Sequence, residues 1–150
     1  MLGAVRSEIA DNELFFSVAA VADYTPKNPH NQKLKKSSAA LTLELVPTVD
    51  ILAYVAALPN PPFCIGFAAE TQNVVEYASK KREKKCIPMI VANLAQNAIG
   101  TDDNEVTIID DEGLHPVPRG PKASVARAIV AFAAHKLIQP QRLKSVKRQR

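Results

Sequence analysis

The sequence predicts an α/β fold, a parallel sheet with flanking helices, and three observations carry that expectation. Apolar runs of strand length alternate with segments of helical periodicity along most of the chain. The runs end abruptly at polar residues, as strands buried on both faces do at their carboxyl ends. Asp23, Glu70 and Asn93 each follow such a run, and Asp50 lies just beyond another. In a parallel sheet these ends share one edge, where ligands bind in open α/β folds.

The elements follow in order. Leu2, Val5 and Ile9 at helical spacing predict a helix from Met1 to Asn12. Leu14 to Val21 does not alternate with polar residues and predicts a strand buried on both faces, placing Asp23 at its carboxyl edge. Tyr24 to Ser38, with Pro26, Pro29 and four lysines, reads as a long exposed loop, a kind of segment that often serves as a lid. Ala39 to Val46 alternates through Leu41, Leu43 and Leu45 and predicts a strand with one buried face. Pro47 stops it, and Thr48 can cap a helix from about Val49 to Leu58. Phe63 to Ala68 is a buried strand that passes through Glu70 and Thr71 into a helix ending near Lys85. Ile87 to Ala92 and Val106 to Ile109 are strands, and Pro121 opens a last helix whose Val125, Ile129, Phe132 and Ala133 face the core.

An apolar fraction of 47% over 150 residues supports one domain with a sizeable core. The apolar runs fall short of the ~20 residues of a membrane helix, and no cationic leader precedes one, so a soluble, cytoplasmic protein is expected. Cys64 and Cys86 lack metal-ligand spacing and read as free thiols; His30, His115 and His135 belong to no metal motif. The formal charge of +4 comes from the end of the chain. Without Arg142, Lys144, Lys147, Arg148 and Arg150, fourteen basic residues face fifteen acidic ones, a net of −1. Residues 139–150 therefore read as a basic, disordered tail after a near-neutral body, and nucleic-acid binding is not the expectation.

The chain has five glycines and neither a GxxxxGK[ST] loop nor a GxGxxG turn, GxSxG elbow or kinase loop, which argues against common nucleotide cradles, hydrolases and kinases. Gly66-Phe67-Ala68-Ala69 is the best substitute cradle, with Phe67 offering an aromatic face; a core-packing turn is the alternative. Lys81 and Lys85 share a helix face, where like charges repel unless an anion lies between them. A basic last turn complementing the helix dipole accounts for them equally well. Lys33, Lys35 and Lys36 form either a solvated loop or a lid that closes over a phosphoryl group.

The stretches Ala19 to Tyr24, Lys33-Leu34-Lys35-Lys36, Asp50-Ile51-Leu52, Gly66 to Thr71, Ala92-Asn93 and Asp102 to Val106 resemble, in order and spacing, bacterial phosphopantothenoylcysteine synthetase. That enzyme is usually the C-terminal domain of the bifunctional coenzyme A biosynthesis flavoprotein. The resemblance covers roughly residues 1–138 and implies a ligase that joins 4'-phosphopantothenate to cysteine through an acyl-cytidylate formed from CTP. It implies that Ser17, Val18, Ala19, Asp23, Val49, Asp50, Ile51, Leu52 and Phe67 line the nucleotide site. Lys33, Lys81 and Lys85 would meet the phosphates, with Lys33 catalytic on a flap that closes over the intermediate. Magnesium accompanies the triphosphate, a homodimer or larger oligomer is expected, and a decarboxylase domain can lie upstream.

Family members also carry a Gly-rich segment with an Asn-x-Ser-Ser-Gly motif that supplies a catalytic asparagine, and this sequence has none. The resemblance therefore implies a Rossmann-like sheet lacking its first strands, with an unpaired apolar edge at Leu14 to Val21. The chain alone is expected to be poorly soluble and inactive, a piece of a longer protein. A non-catalytic nucleotide-binding or regulatory protein that retains the CTP pocket is the alternative. No residue reads cytosine by spacing alone, so CTP over ATP rests on the resemblance.

Overall fold

Five strands form the central sheet in the computed structural model, which describes residues 1–30, 32–36 and 40–138. The chain begins with α1 (Leu2–Glu8), a 3-10 turn and β1 (Leu14–Ser17). A small ribbon of β2 (Tyr24–Pro26) and β3 (Leu45–Pro47) precedes α2 (Ile51–Ala56). Then come β4 (Phe63–Glu70), α3 (Val74–Lys84), β5 (Met89–Leu94), the single turn α4 (Ala95–Ala98), β6 (Asp103–Asp110), β7 (Gly113–Pro121) and α5 (Lys122–Ile138). The sheet order is β1-β4-β5-β6-β7. β1, β4 and β5 run parallel, from Leu14 opposite Phe63 to Glu70 opposite Leu94, while β6 and β7 run antiparallel. The sheet is therefore mixed, and the expected parallel order holds for its first three strands.

Alternate residues of the middle strands enter two cores, one on each face. Cys64, Ala68, Ile90 and Ala92 pack with Ile51, Leu52 and Val55 of α2 and Ala78 of α3. Ile65, Met89, Val91, Val106 and Ile108 pack with Val125, Ile129 and Ala133 of α5. Burial pushes the Cys64 thiol up to about 11, which leaves it protonated and inert at neutral pH. Gly66 lies mid-strand in β4, where a Cβ would stand 2.8 Å from Ile87 Cδ1 and 3.0 Å from Leu52 Cδ2. Its smallness serves helix packing, and Gly66-Phe67-Ala68-Ala69 lies within the strand instead of forming the expected strand-to-helix turn. Helix α3 stops because Cys86 is left-handed (φ 51°), with Ile87 N–H donating to Arg82 O and Cys86 N–H to Glu83 O.

Several boundaries differ from the sequence expectation. β1 ends at Ser17, is only half-buried and sits at the sheet edge, paired on one side with β4; residues 18–23 continue as an exposed, irregular segment. Of the strand expected over Ala39 to Val46, Ala39 lies outside the described residues, residues 40–44 are irregular and only Leu45 and Val46 belong to β3; Leu41 and Leu43 are 71% and 61% exposed, since among the described residues no second layer lies behind the two-stranded ribbon to bury them. Part of the expected Tyr24 to Ser38 loop is strand β2. α2 is capped by Asp50, whose Oδ1 accepts from Ala53 N–H, while the Thr48 hydroxyl donates to Ala22 O. The helix expected from Glu70-Thr71 starts only at Val74, because β4 extends to Glu70. β7 has no counterpart in the sequence expectation. The tail over residues 139–150 lies outside the described residues.

The turn joining β6 to β7 is fastened to α5 by a buried carboxylate. Asp110 Oδ1 accepts from the Glu112 and Gly113 amides and lies 2.9 Å from His115 Nε2, and Oδ2 lies 2.8 Å from Lys136 Nζ. Burial raises the Asp110 carboxyl, but the hydrogen bonds from Lys136, His115 and the Glu112 amide outweigh it and hold it below the ordinary 3.8. Burial lowers the Lys136 ammonium, yet Asp110 and Glu112 hold it above 10.5.

Two predictions follow from this packing. Gly66→Val forces Leu52 and Ile87 apart and is expected to cost about 1–3 kcal/mol in urea unfolding. Asp110→Ala leaves Lys136 short of a buried partner and should cost about 3 kcal/mol at pH 7. Because the folded-state carboxyl is depressed, its contribution is present above the unfolded value and disappears as pH falls through the folded one; the raised lysine contributes below its unfolded value and stops doing so as pH climbs through the folded one. Urea midpoints of the two proteins should therefore converge toward strongly acidic pH, and a constant gap would contradict the assignment.

Candidate functional site

A cavity of about 290 Å³ opens beyond the end of β1, on the sheet face that carries α2 and α3. Ser17 ends β1, and Ala19, Ala20, Val21 and Asp23 of the following segment form one wall. Their small side chains leave the space open. Thr48, Val49, Asp50, Ile51 and Leu52 form a second wall at the start of α2. Phe67 of β4, Ile90 of β5 and Lys81 and Lys85 of α3 complete the lining. Phe67 also packs against the core on the α5 side.

Thr48 fastens the first two walls together. Its amide donates to Asp23 O at 2.8 Å and its hydroxyl to Ala22 O at 2.6 Å, which closes the base of the β2–β3 ribbon over the cavity. The ribbon continues outward through Lys27 N–H to Glu44 O and a Lys27–Glu44 ion pair at 2.6 Å.

The two lysines do not face each other unneutralised, as their spacing suggested. Lys81 pairs with Glu70 at 2.6 Å, and Lys85 pairs with Asp50. Each carboxylate comes from a different element, so the repulsion across one helix turn is offset within the protein and does not require a bound anion. Burial raises the Asp50 carboxyl, but the Lys85 and Ala53 hydrogen bonds and the Lys85 charge prevail and hold it below 3.8. Asp50 is therefore ionised at neutral pH while it caps α2.

Most of the residues expected at the site come together here: Ser17, Ala19, Asp23, Val49, Asp50, Ile51, Leu52, Phe67, Lys81 and Lys85 all line the cavity. Val18 does not, being 62% exposed beside it. Lys33 does not either; it is exposed on the segment beyond the ribbon. Glu70 reaches the cavity only through Lys81, and Asn93 lies within β5, where its Nδ2 donates to Asn104 Oδ1 at 3.1 Å. The common cleft expected for the four strand-end residues thus holds Asp23 and Asp50. Ala20, Val21, Thr48 and Ile90 are not among the expected site residues: Ala20 and Val21 fall within a motif stretch without an assigned role, Thr48 reads as a helix cap, and Ile90 is one apolar residue in a buried strand.

The lining joins an apolar wall, two ammonium groups and two carboxylates. It contains no histidine or cysteine among the described residues, and each of its lysines is already paired with a carboxylate. Among the described residues no three His, Cys, Asp or Glu side chains could together hold a metal ion, and no helix is long and apolar enough to cross a membrane.

Comparison with known proteins gives a consistent result. The chain is 43% identical over 136 residues to the coenzyme A biosynthesis bifunctional protein CoaBC of Vibrio cholerae, covering 87% of the chain and 34% of that protein. It is 42% identical over 116 residues to CoaBC of Bacillus subtilis, covering 75% of the chain and 29% of that protein. The chain thus spans about a third of the length of these relatives. The solved C-terminal domain of a CoaBC protein superimposes with a TM-score of 0.73 at 36% identity, covering 93% of this chain and 62% of that one. A DNA/pantothenate metabolism flavoprotein from Streptococcus pneumoniae shares the fold, with a TM-score of 0.70 at 20% identity over 89% of this chain and 68% of its own. The family model for the DNA/pantothenate metabolism flavoprotein C-terminal domain matches residues 1–137, and the chain belongs to that family.

Proposed function

We propose that this chain is part of a phosphopantothenate–cysteine ligase acting in coenzyme A biosynthesis, and that the cavity beside α2 and α3 is its CTP site. The observation that carries this reading is the convergence of Asp23, Asp50, Phe67, Lys81 and Lys85 on one cavity in a chain 43% identical to a coenzyme A biosynthesis protein. In the reaction a 4'-phosphopantothenate carboxylate oxygen attacks the α-phosphorus of CTP and pyrophosphate leaves. The cysteine amine then attacks the acyl carbon, CMP leaves, and the amine proton passes to solvent. Lys81 and Lys85 turn from their carboxylates toward the phosphate oxygens, which neutralises charge on the nucleotide. Lys33 is carried inward by the ribbon, excluding water from the acyl phosphate and adding a third positive charge. Magnesium is expected to arrive on the triphosphate, whose oxygens bind it, and supplies further charge neutralisation.

The same reading places the protein in the cytoplasm as a homodimer. Tyr24, Leu41, Leu43 and Leu45 leave apolar surface exposed on and around the ribbon, a surface that a second copy would cover. The relatives are named bifunctional, so a decarboxylase domain upstream belongs to the proposal. The non-catalytic alternative keeps the pocket without turnover.

Pyrophosphate release from CTP with 4'-phosphopantothenate, cysteine and magnesium tests the proposal, in this chain and in a form extended to the length of its relatives. Release is expected in the extended form. Lys33→Ala in that form should lower kcat by about 10²–10³-fold, the scale of losing one charge-stabilising donor. CTP binding without release would leave the non-catalytic reading, and neither binding nor release would overturn the proposal.

A further inference from the structure

The two ion pairs beside the cavity differ in kind. Asp50 is anchored independently of its lysine, because Oδ1 accepts the Ala53 amide at 3.0 Å while Oδ2 accepts from Lys85. Glu70 has no such anchor. Its Oε1 is buried and receives no directional hydrogen bond, and its contact is the Lys81 ammonium at 2.6 Å. The Glu70 side chain is 14% exposed and that of Lys81 is 49% exposed. Lys81 is thus half in water and held by charge alone, off the direction that a good hydrogen bond requires. Of the two cavity lysines it is the easier to move.

We propose that Glu70, which does not line the cavity, acts by exchange: it gives up Lys81 to the phosphate oxygens of an arriving ligand and takes it back as the phosphate product leaves. The inference rests on the reading of the cavity as a phosphoanion site and adds a residue that governs release. An ammonium bound to Glu70 must be uncovered before it can serve a ligand. The buried carboxylate left behind favours its return. Glu70 therefore keeps the affinity for phosphoanions, pyrophosphate included, below what Lys81 alone would provide, and so limits product retention. Glu70 is a positioning residue in this scheme, acting through Lys81.

A plain structural staple between α3 and β4 would predict something else: lower stability on removing Glu70 and unchanged anion affinity. Calorimetric titration of the intact protein with inorganic pyrophosphate and with CTP separates the two. Glu70→Gln is expected to tighten pyrophosphate binding about two- to fivefold, on the scale of an ion pair whose lysine is half in water. The gain should vanish when Lys81→Ala is compared with the Lys81→Ala/Glu70→Gln double variant, since a long-range effect of the lost charge would persist there. In turnover, Glu70→Gln should lower KM for CTP and lower kcat together through slower release, with stronger inhibition by pyrophosphate. Glu70→Asp withdraws the carboxylate and should shift affinity in the same direction if the glutamine variant fails to fold. Unchanged or weaker pyrophosphate binding in a folded Glu70 variant overturns the exchange. Tightening of pyrophosphate without any CTP binding would remove the nucleotide reading and leave the exchange standing.

Discussion

Helices α2 and α3 can lie down on the sheet because Gly66 presents no side chain to them. Leu52 of α2 and Ile87, just after α3, approach β4 at this point to within the distance that a Cβ would occupy. The cavity is the space left beyond that contact, and Leu52 and Ile90, both close to the missing Cβ, line it. A larger residue at 66 would lift the helices and with them Asp50, Lys81 and Lys85. The chemistry of the site therefore depends on a packing constraint located in the core.

Charge then fixes what packing brings near. Lys85 and Asp50 join the end of α3 to the start of α2, and Lys81 and Glu70 join α3 to the end of β4. Each pair brings opposite charges into contact, and each also holds a lysine at the cavity wall. On the α5 side of the sheet, Asp110, Lys136 and His115 form a comparable network that closes a turn against a helix. That network faces a hydrogen-bonded turn, and none of its members lines the cavity beside α2 and α3. The contrast is physical: the partners on the cavity side are more exposed and one of them lacks a directional bond, which leaves room for exchange.

Much of this was legible in the sequence. The buried runs at β4 and β5 and the core face of α5 follow directly from apolar pattern, and the parallel order expected of the whole sheet holds for β1, β4 and β5. Ten of the cavity residues are implied as one site only by the family resemblance, and no local pattern singles them out together. Other features depend on tertiary context that no local pattern encodes. Pro116, Pro118 and Pro121 argue against a strand in isolation, yet β7 is an edge strand with a register shift near Pro118, where missing amides are tolerated. Leu41, Leu43 and Leu45 alternate as a half-buried strand would, but the ribbon offers no second layer to bury them. The spacing of Lys81 and Lys85 suggests a repulsion that Glu70 and Asp50 offset, because nothing in the spacing shows that either carboxylate comes within reach.

Backbone amide NMR shifts during a CTP titration in magnesium test whether the cavity between the segment after β1, the start of α2 and helix α3 takes the nucleotide. Saturable shifts are expected at Ala19 to Asp23, Thr48 to Leu52, Phe67 and the Lys81–Lys85 turn, with Lys33 joining them as the ribbon closes. Shifts confined to the β6–β7 turn and α5, or none at saturating CTP, would contradict it.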